Sequence, residues 1–133
     1  MSWPRRSGIL AGFVCAAVLL ASGCRKPTEP QAAVAVEYGI SPQPVRVGPV
    51  ALSVKLRDAV GKPAAGARVS LEADMSHAGM APVFGENHEV APGQYAGSLD
   101  FAMPGDWVVL IHVTLPDGHK LEREVSVPGV TTN

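Results

Sequence analysis

From residue 33 onward the chain alternates apolar and polar side chains, broken by turn signals roughly every eight to twelve residues. Val50, Leu52, Val54 and Leu56 fall on one side of an extended segment, with Ser53, Lys55 and Arg57 on the other. The next segment repeats the pattern. Ala67, Val69, Leu71, Ala73 and Met75 share a face, and Arg68, Ser70, Glu72 and Asp74 share the opposite one. Tyr95, Gly97, Leu99 and Phe101 form a third apolar row, and Met103 continues its phase. Residues 107–115, from Trp107 to Leu115, are almost continuously apolar, as expected of a central strand, and Leu121 to Val127 closes the series. Weaker strand signals cover Val34 to Tyr38, ending at Gly39, a short edge piece at Val45 to Val47, and Val83 to Val90. Loops fall at Asp58 to Gly66, Ala91-Pro92-Gly93, Pro104-Gly105 and Pro116 to His119. No segment carries a helical period. The pattern predicts an all-β fold, an immunoglobulin-like β-sandwich of about seven strands, with a small barrel as the alternative.

The segment before residue 33 has a different character. Arg5 and Arg6 precede an apolar run from Gly8 to Leu20, too short for a transmembrane helix of about 20 residues, and Ala21-Ser22-Gly23 leads into Cys24. Small residues followed at once by cysteine resemble a bacterial lipobox, although Ala21 stands where leucine is usual. The resemblance implies residues 1–23 as a lipoprotein signal peptide, cleavage before Cys24, and lipidation of Cys24. A plain secretory signal with an incidental cysteine is the alternative. Residues 24–32, with two prolines and few apolar side chains, read as a lipid-anchored tether, leaving 33–133 as one domain.

Removing the signal changes the arithmetic. The mature chain has nine basic and twelve acidic residues, a weakly negative balance that argues against nucleic acid as a partner. Cys15 leaves with the signal and Cys24 carries lipid, so no thiol is left for a disulfide, a zinc–thiolate site or a nucleophile. No glycine-framed serine and no phosphate-cradling loop is present, and the sequence gives no reason to expect an enzyme.

The soft-donor side chains stand out against that background. Met75-x-His77-x-x-Met80 places two thioethers and an imidazole within six residues, and Met103 lies in a second turn. These donors suit Cu(I) far better than Mg²⁺ or Ca²⁺. Strand phase carries His77 inward beyond Met75, and the reading expects the two turns to meet at one end of the sandwich. His88 is a weak further donor if its strand runs beside the loop. His112 reads as a sheet-face residue, His119 as a turn residue and Trp107 as a core anchor. Methionine also fills irregular gaps in cores, so plain packing is the competing account, above all for Met75.

Taken in order, Pro44 to Gly48, Leu52 to Asp58, Gly61 to Pro63, Ala67 to Val69, Met75 to Met80, Gly93 to Tyr95 and Met103 to Trp107 carry the pattern Pro-x-x-x-Gly, Leu-x-Val-x-Leu-x-Asp, Gly-x-Pro, Ala-x-Val, Met-x-His-x-x-Met, Gly-x-Tyr and Met-x-Gly-x-Trp. This order resembles the YtkA-like family, related to FixH-type proteins. The resemblance implies an immunoglobulin-like sandwich exported to the cell envelope, in the company of copper handling and cytochrome oxidase assembly. The combined expectation is a membrane-anchored envelope lipoprotein, periplasmic or extracellular, that holds Cu(I) and exchanges it with a copper protein, an efflux system or an oxidase-assembly partner. A metal-free structural or interaction module of an envelope complex is the alternative.

Overall fold

The computed structural model describes residues 33–77 and 79–133. The expected signal peptide, tether and lipidated Cys24 lie outside the described residues. Seven strands follow in order: β1 (Ala35–Ser41), β2 (Gly48–Arg57), β3 (Arg68–Met75), β4 (Val83–Ala91), β5 (Gln94–Phe101), β6 (Gly105–Thr114) and β7 (Lys120–Val130). All are paired antiparallel in the order β1-β2-β5-β4-β3-β6-β7.

The alternation in the sequence becomes two facing apolar layers. β1, β2 and β5 form one, and β3, β6 and β7 form the other. Val50, Leu52, Val54 and Leu56 meet Leu71, Val109, Ile111 and Val113 in a single buried core. Trp107, Tyr95 and Phe101 are the largest buried side chains, and Phe101 meets Trp107 edge to face at 5.1 Å between ring centroids. The chain is therefore an all-β, immunoglobulin-like sandwich, and β6 lies between β3 and β7 as its continuous apolar run requires.

β4 joins the two layers. Its first half, Val83 to Asn87, pairs with β3, and from Asn87 onward it pairs with β5. Asn87 is the pivot, set opposite both Val69 and Gly97. It is a buried polar side chain in the core; its Nδ2 donates to the Leu52 carbonyl at 3.0 Å, while its Oδ1 has no partner among the described residues. Gly97 permits this, because a Cβ there would collide with Asn87 Oδ1 and with the Glu86 carbonyl oxygen.

Two strand boundaries differ from the sequence expectation. Gly39 does not end β1; it pairs with Ser53, and the strand runs on to Ser41. The Val45–Val47 piece is no strand of the main sheet, but it ties β2's entry to the end of β7. Val47 N–H donates to Thr131 O at 2.8 Å and Thr131 N–H to Val45 O at 3.3 Å.

At the end of the sandwich where β4 turns into β5, the buried Tyr95 hydroxyl donates to Ala64 O (2.9 Å) and accepts from Ala67 N–H (3.0 Å), pinning the β2–β3 loop. Burial raises the pKa of this phenol. Beside it the Glu89 carboxyl is held below its ordinary value, first by the Tyr95 hydroxyl and then by the Gly66 N–H.

Candidate soft-metal site

The candidate donors sit at the opposite end. β3 stops at Met75, which is paired with Trp107 at the start of β6. The next residue fastens the two loops together. Ser76 N–H and Ser76 Oγ–H both donate to the Asp106 carbonyl, each at 3.0 Å. Asp106 in turn accepts the Gly129 N–H on its side chain at 2.8 Å, so β3, β6 and β7 converge on one residue. The Trp107 indole N–H donates to the Met103 carbonyl at 3.1 Å, fixing the β5–β6 turn against the core. The two turns expected to meet at one end do meet.

The side chains of these loops divide by exposure. Met75 is half-buried, packed against the core, and its Cε lies where a Cβ on Gly105 would come within 2.9 Å. The thioether tip thus lies over the turn that carries Met103. Met80 and Met103 are 40 % and 42 % exposed, on the β3–β4 and β5–β6 connections respectively. His77 is exposed, against the expectation that strand phase would carry it inward. The reason is local: alternation ends with β3, and the Ser76–Asp106 bonds turn the chain away from the sheet. Met103 likewise leaves the phase of β5, which ends at Phe101.

His88 does not join this group. Val83 stands opposite Ala73, and His88 lies five residues further along β4, about 17 Å away at strand rise, where it pairs with Ala96. His112 occupies the outer sheet face, as expected, with ring nitrogens 3.0 Å from Glu72 and from Glu122. His119 sits in the β6–β7 turn, its Nδ1 3.0 Å from Asp117. Among the described residues no group of three or more His, Cys, Asp or Glu is placed to hold a metal ion. Any donor set here rests on thioethers with His77. Sequence reading missed the Ser76–Asp106 fastening, for which a serine directly after a strand's last apolar residue is a faint signal.

The family model described as YtkA-like matches residues 31–112. The chain belongs to the YtkA-like family. The matched span of this YtkA-like chain contains Met75, His77, Met80 and Met103 and stops before β7. Among solved structures it is similar to murine CRIg, at 11 % identity and a TM-score of 0.42, over 75 % of this chain and 98 % of that one. No curated protein matches it.

Proposed function

We propose that this YtkA-like domain is an exported, lipid-anchored carrier of Cu(I), held by Met75, Met80 and Met103 with His77. The observation that carries the reading is the exposure of Met80 and Met103 on two loops joined through Ser76 and Asp106. A thioether in a solvent-facing loop gains little from packing, whereas a half-buried methionine such as Met75 already has a packing role. Two or three thioethers and an imidazole fit the preferences of Cu(I) and serve Zn²⁺ poorly. Thioethers release copper more readily than thiolates, which suits transfer to a partner rather than storage. The partner on this reading is a copper protein of an oxidase-assembly or efflux system. Lipidation at Cys24 would hold the domain at the membrane on the periplasmic or extracellular side. The domain would act by binding and exchange, with no catalytic residue.

The test is an anaerobic Cu(I) titration of residues 28–133 against a colorimetric chelator. The expected result is competition for about one copper per chain. That competition is lost in the Met75→Leu/Met80→Leu variant while the circular dichroism spectrum is kept, because the exchange roughly conserves volume. Equal competition by the variant, or none by the native domain, would overturn the proposal.

A further inference from the structure

The outer face of the β4-β3-β6-β7 layer carries charge of predominantly one sign around an exposed aromatic ring. Three rows of side chains cross it, set by register. The first is Asp74, Val108 and Ser126; the second Phe84, Glu72, Leu110 and Glu124; the third Glu86, Ser70, His112 and Glu122. Five carboxylates occupy these rows, with no lysine or arginine opposite any of them. No two of the five stand directly opposite each other in register, so the sheet tolerates them, and together they give the face one sign of charge. His112, set between Glu72 and Glu122, is the one group in these rows able to become cationic, and its full protonation would still leave the face net negative. Arg68 and Lys120 lie one row further on, flanking Thr114.

The centre of the face is apolar. Phe84 is 71 % exposed, while Val108 and Leu110 are half-buried. Phe84 and Leu110 stand two strands apart, about 10 Å, with the Glu72 carboxylate between them. An exposed phenyl ring flanked by Glu72 and Glu86 suits an arginine or lysine. The aliphatic stem can lie on Phe84 and Leu110, the cation over the ring, and the head against a carboxylate. A second copy of this face, or an anionic membrane, would meet the same five charges with repulsion.

We propose that this face docks a protein partner presenting lysine or arginine side chains around an apolar one. The inference does not depend on copper binding, since none of the proposed thioether donors lies in the three rows.

The test uses the full chain in detergent and a fluorescein-labelled peptide of alternating lysine and leucine, read by fluorescence anisotropy. A glutamine–leucine peptide is the uncharged counterpart. The lysine peptide is expected to bind, to weaken as salt rises, and to weaken about fivefold in Glu86→Gln/Glu124→Gln. Phe84→Ser should weaken it as well. Glu37→Gln/Asp100→Asn, which removes the same charge elsewhere, should leave binding unchanged. Four outcomes would overturn the proposal: no binding of the lysine peptide, equal binding of the glutamine peptide, equal weakening by both double variants, or salt-insensitive self-association of the chain in sedimentation that Phe84→Ser abolishes. Melting curves of each variant confirm that the fold is kept.

Discussion

Replacing Gly97 by alanine is the sharpest test of how the two layers are joined. Gly97 lies between β2 and β4, paired with Leu52 on one side and Asn87 on the other. An added Cβ would collide with Asn87 Oδ1 and with the backbone oxygen of Glu86, and would stand 2.9 Å from Asn87 Cγ. A flexible side chain could swing aside, but a carbonyl oxygen in a paired strand moves only with its strand. Overpacking of this kind costs about 1–3 kcal/mol. Displacing Asn87 also breaks its bond to the Leu52 carbonyl and strands a buried amide, which adds about 1–3 kcal/mol. The total is roughly 2–6 kcal/mol, and for a domain near 100 residues each kcal/mol moves Tm by about 4–8 °C. Thermal melts by circular dichroism should therefore show a drop of at least about 8 °C. Urea unfolding should show a lower midpoint with an unchanged slope. The two positions should also be coupled: in an Asn87→Ala background the collision with Oδ1 is gone, so Gly97→Ala should cost about 1 kcal/mol less than in the native chain. A Tm change below about 2 °C, or strict additivity of the two substitutions, would refute the account of Asn87 as the pivot.

Other consequences can be checked with the same assays. Gly105 has φ +133°, and a Cβ there would press on Met75 Cε. Gly105→Ala should cost more than about 1 kcal/mol in urea unfolding and weaken Cu(I) competition by moving that thioether; unchanged competition would remove Met75 from the donor set. Tyr95→Phe deletes the hydroxyl that serves Ala64 O and Ala67 N–H, and should lower stability by about 1–3 kcal/mol in urea unfolding. Glu89, held low first by the Tyr95 hydroxyl, and Asp117, held low first by the His119 N–H, both have depressed folded values. Their contribution is present above the ordinary values of 4.5 and 3.8 and is lost as pH falls through the lower folded ones, so stability should decline on acidification below about pH 4.5. Glu89→Gln should flatten that decline in a series of urea curves between about pH 2 and 7.

The strands with strict alternation were the legible part of this fold. β2, β3, β5 and β6 each have one face that must be buried, and a shift by one residue would expose every apolar side chain, so sequence determines their faces. β1 and β4 were less legible because their burial is partial. Gly39 reads as punctuation in isolation, yet in the sheet it faces Ser53 and is simply a strand residue. Nothing local announces Asn87 as the place where β4 changes partners, since its role exists only once β3 and β5 flank it. The meeting of the two methionine-bearing turns is suggested by their shared soft donors, but strand pairing, which the sequence does not display, decides it: Ser76 bonds to Asp106 because β3 and β6 are neighbours. His77 was misplaced because periodicity describes a strand only while the ladder lasts, and Ser76 ends it by bonding to Asp106.

The length of the β3–β4 connection bears on whether its methionine and histidine are there for packing. β3 and β4 are antiparallel neighbours, and such neighbours need only two to five connecting residues. The connection between β4 and β5 uses two, Pro92 and Gly93, and that between β5 and β6 uses three. Seven residues, 76–82, join β3 to β4. The fold does not require that surplus, and the core does not use it, for His77 and Met80 are both exposed. Among the described residues of the loop Ser76 makes the structural bonds, and they close the loop against Asp106 at its base. The chain thus lengthens this loop beyond need, anchors its base, and leaves His77 and Met80 facing solvent at the end of the sandwich that also carries the exposed Met103. Packing accounts for the half-buried Met75 and does not account for the exposed Met80 and Met103. Copper competition by the Met80→Leu single variant is accordingly the most informative of the copper measurements.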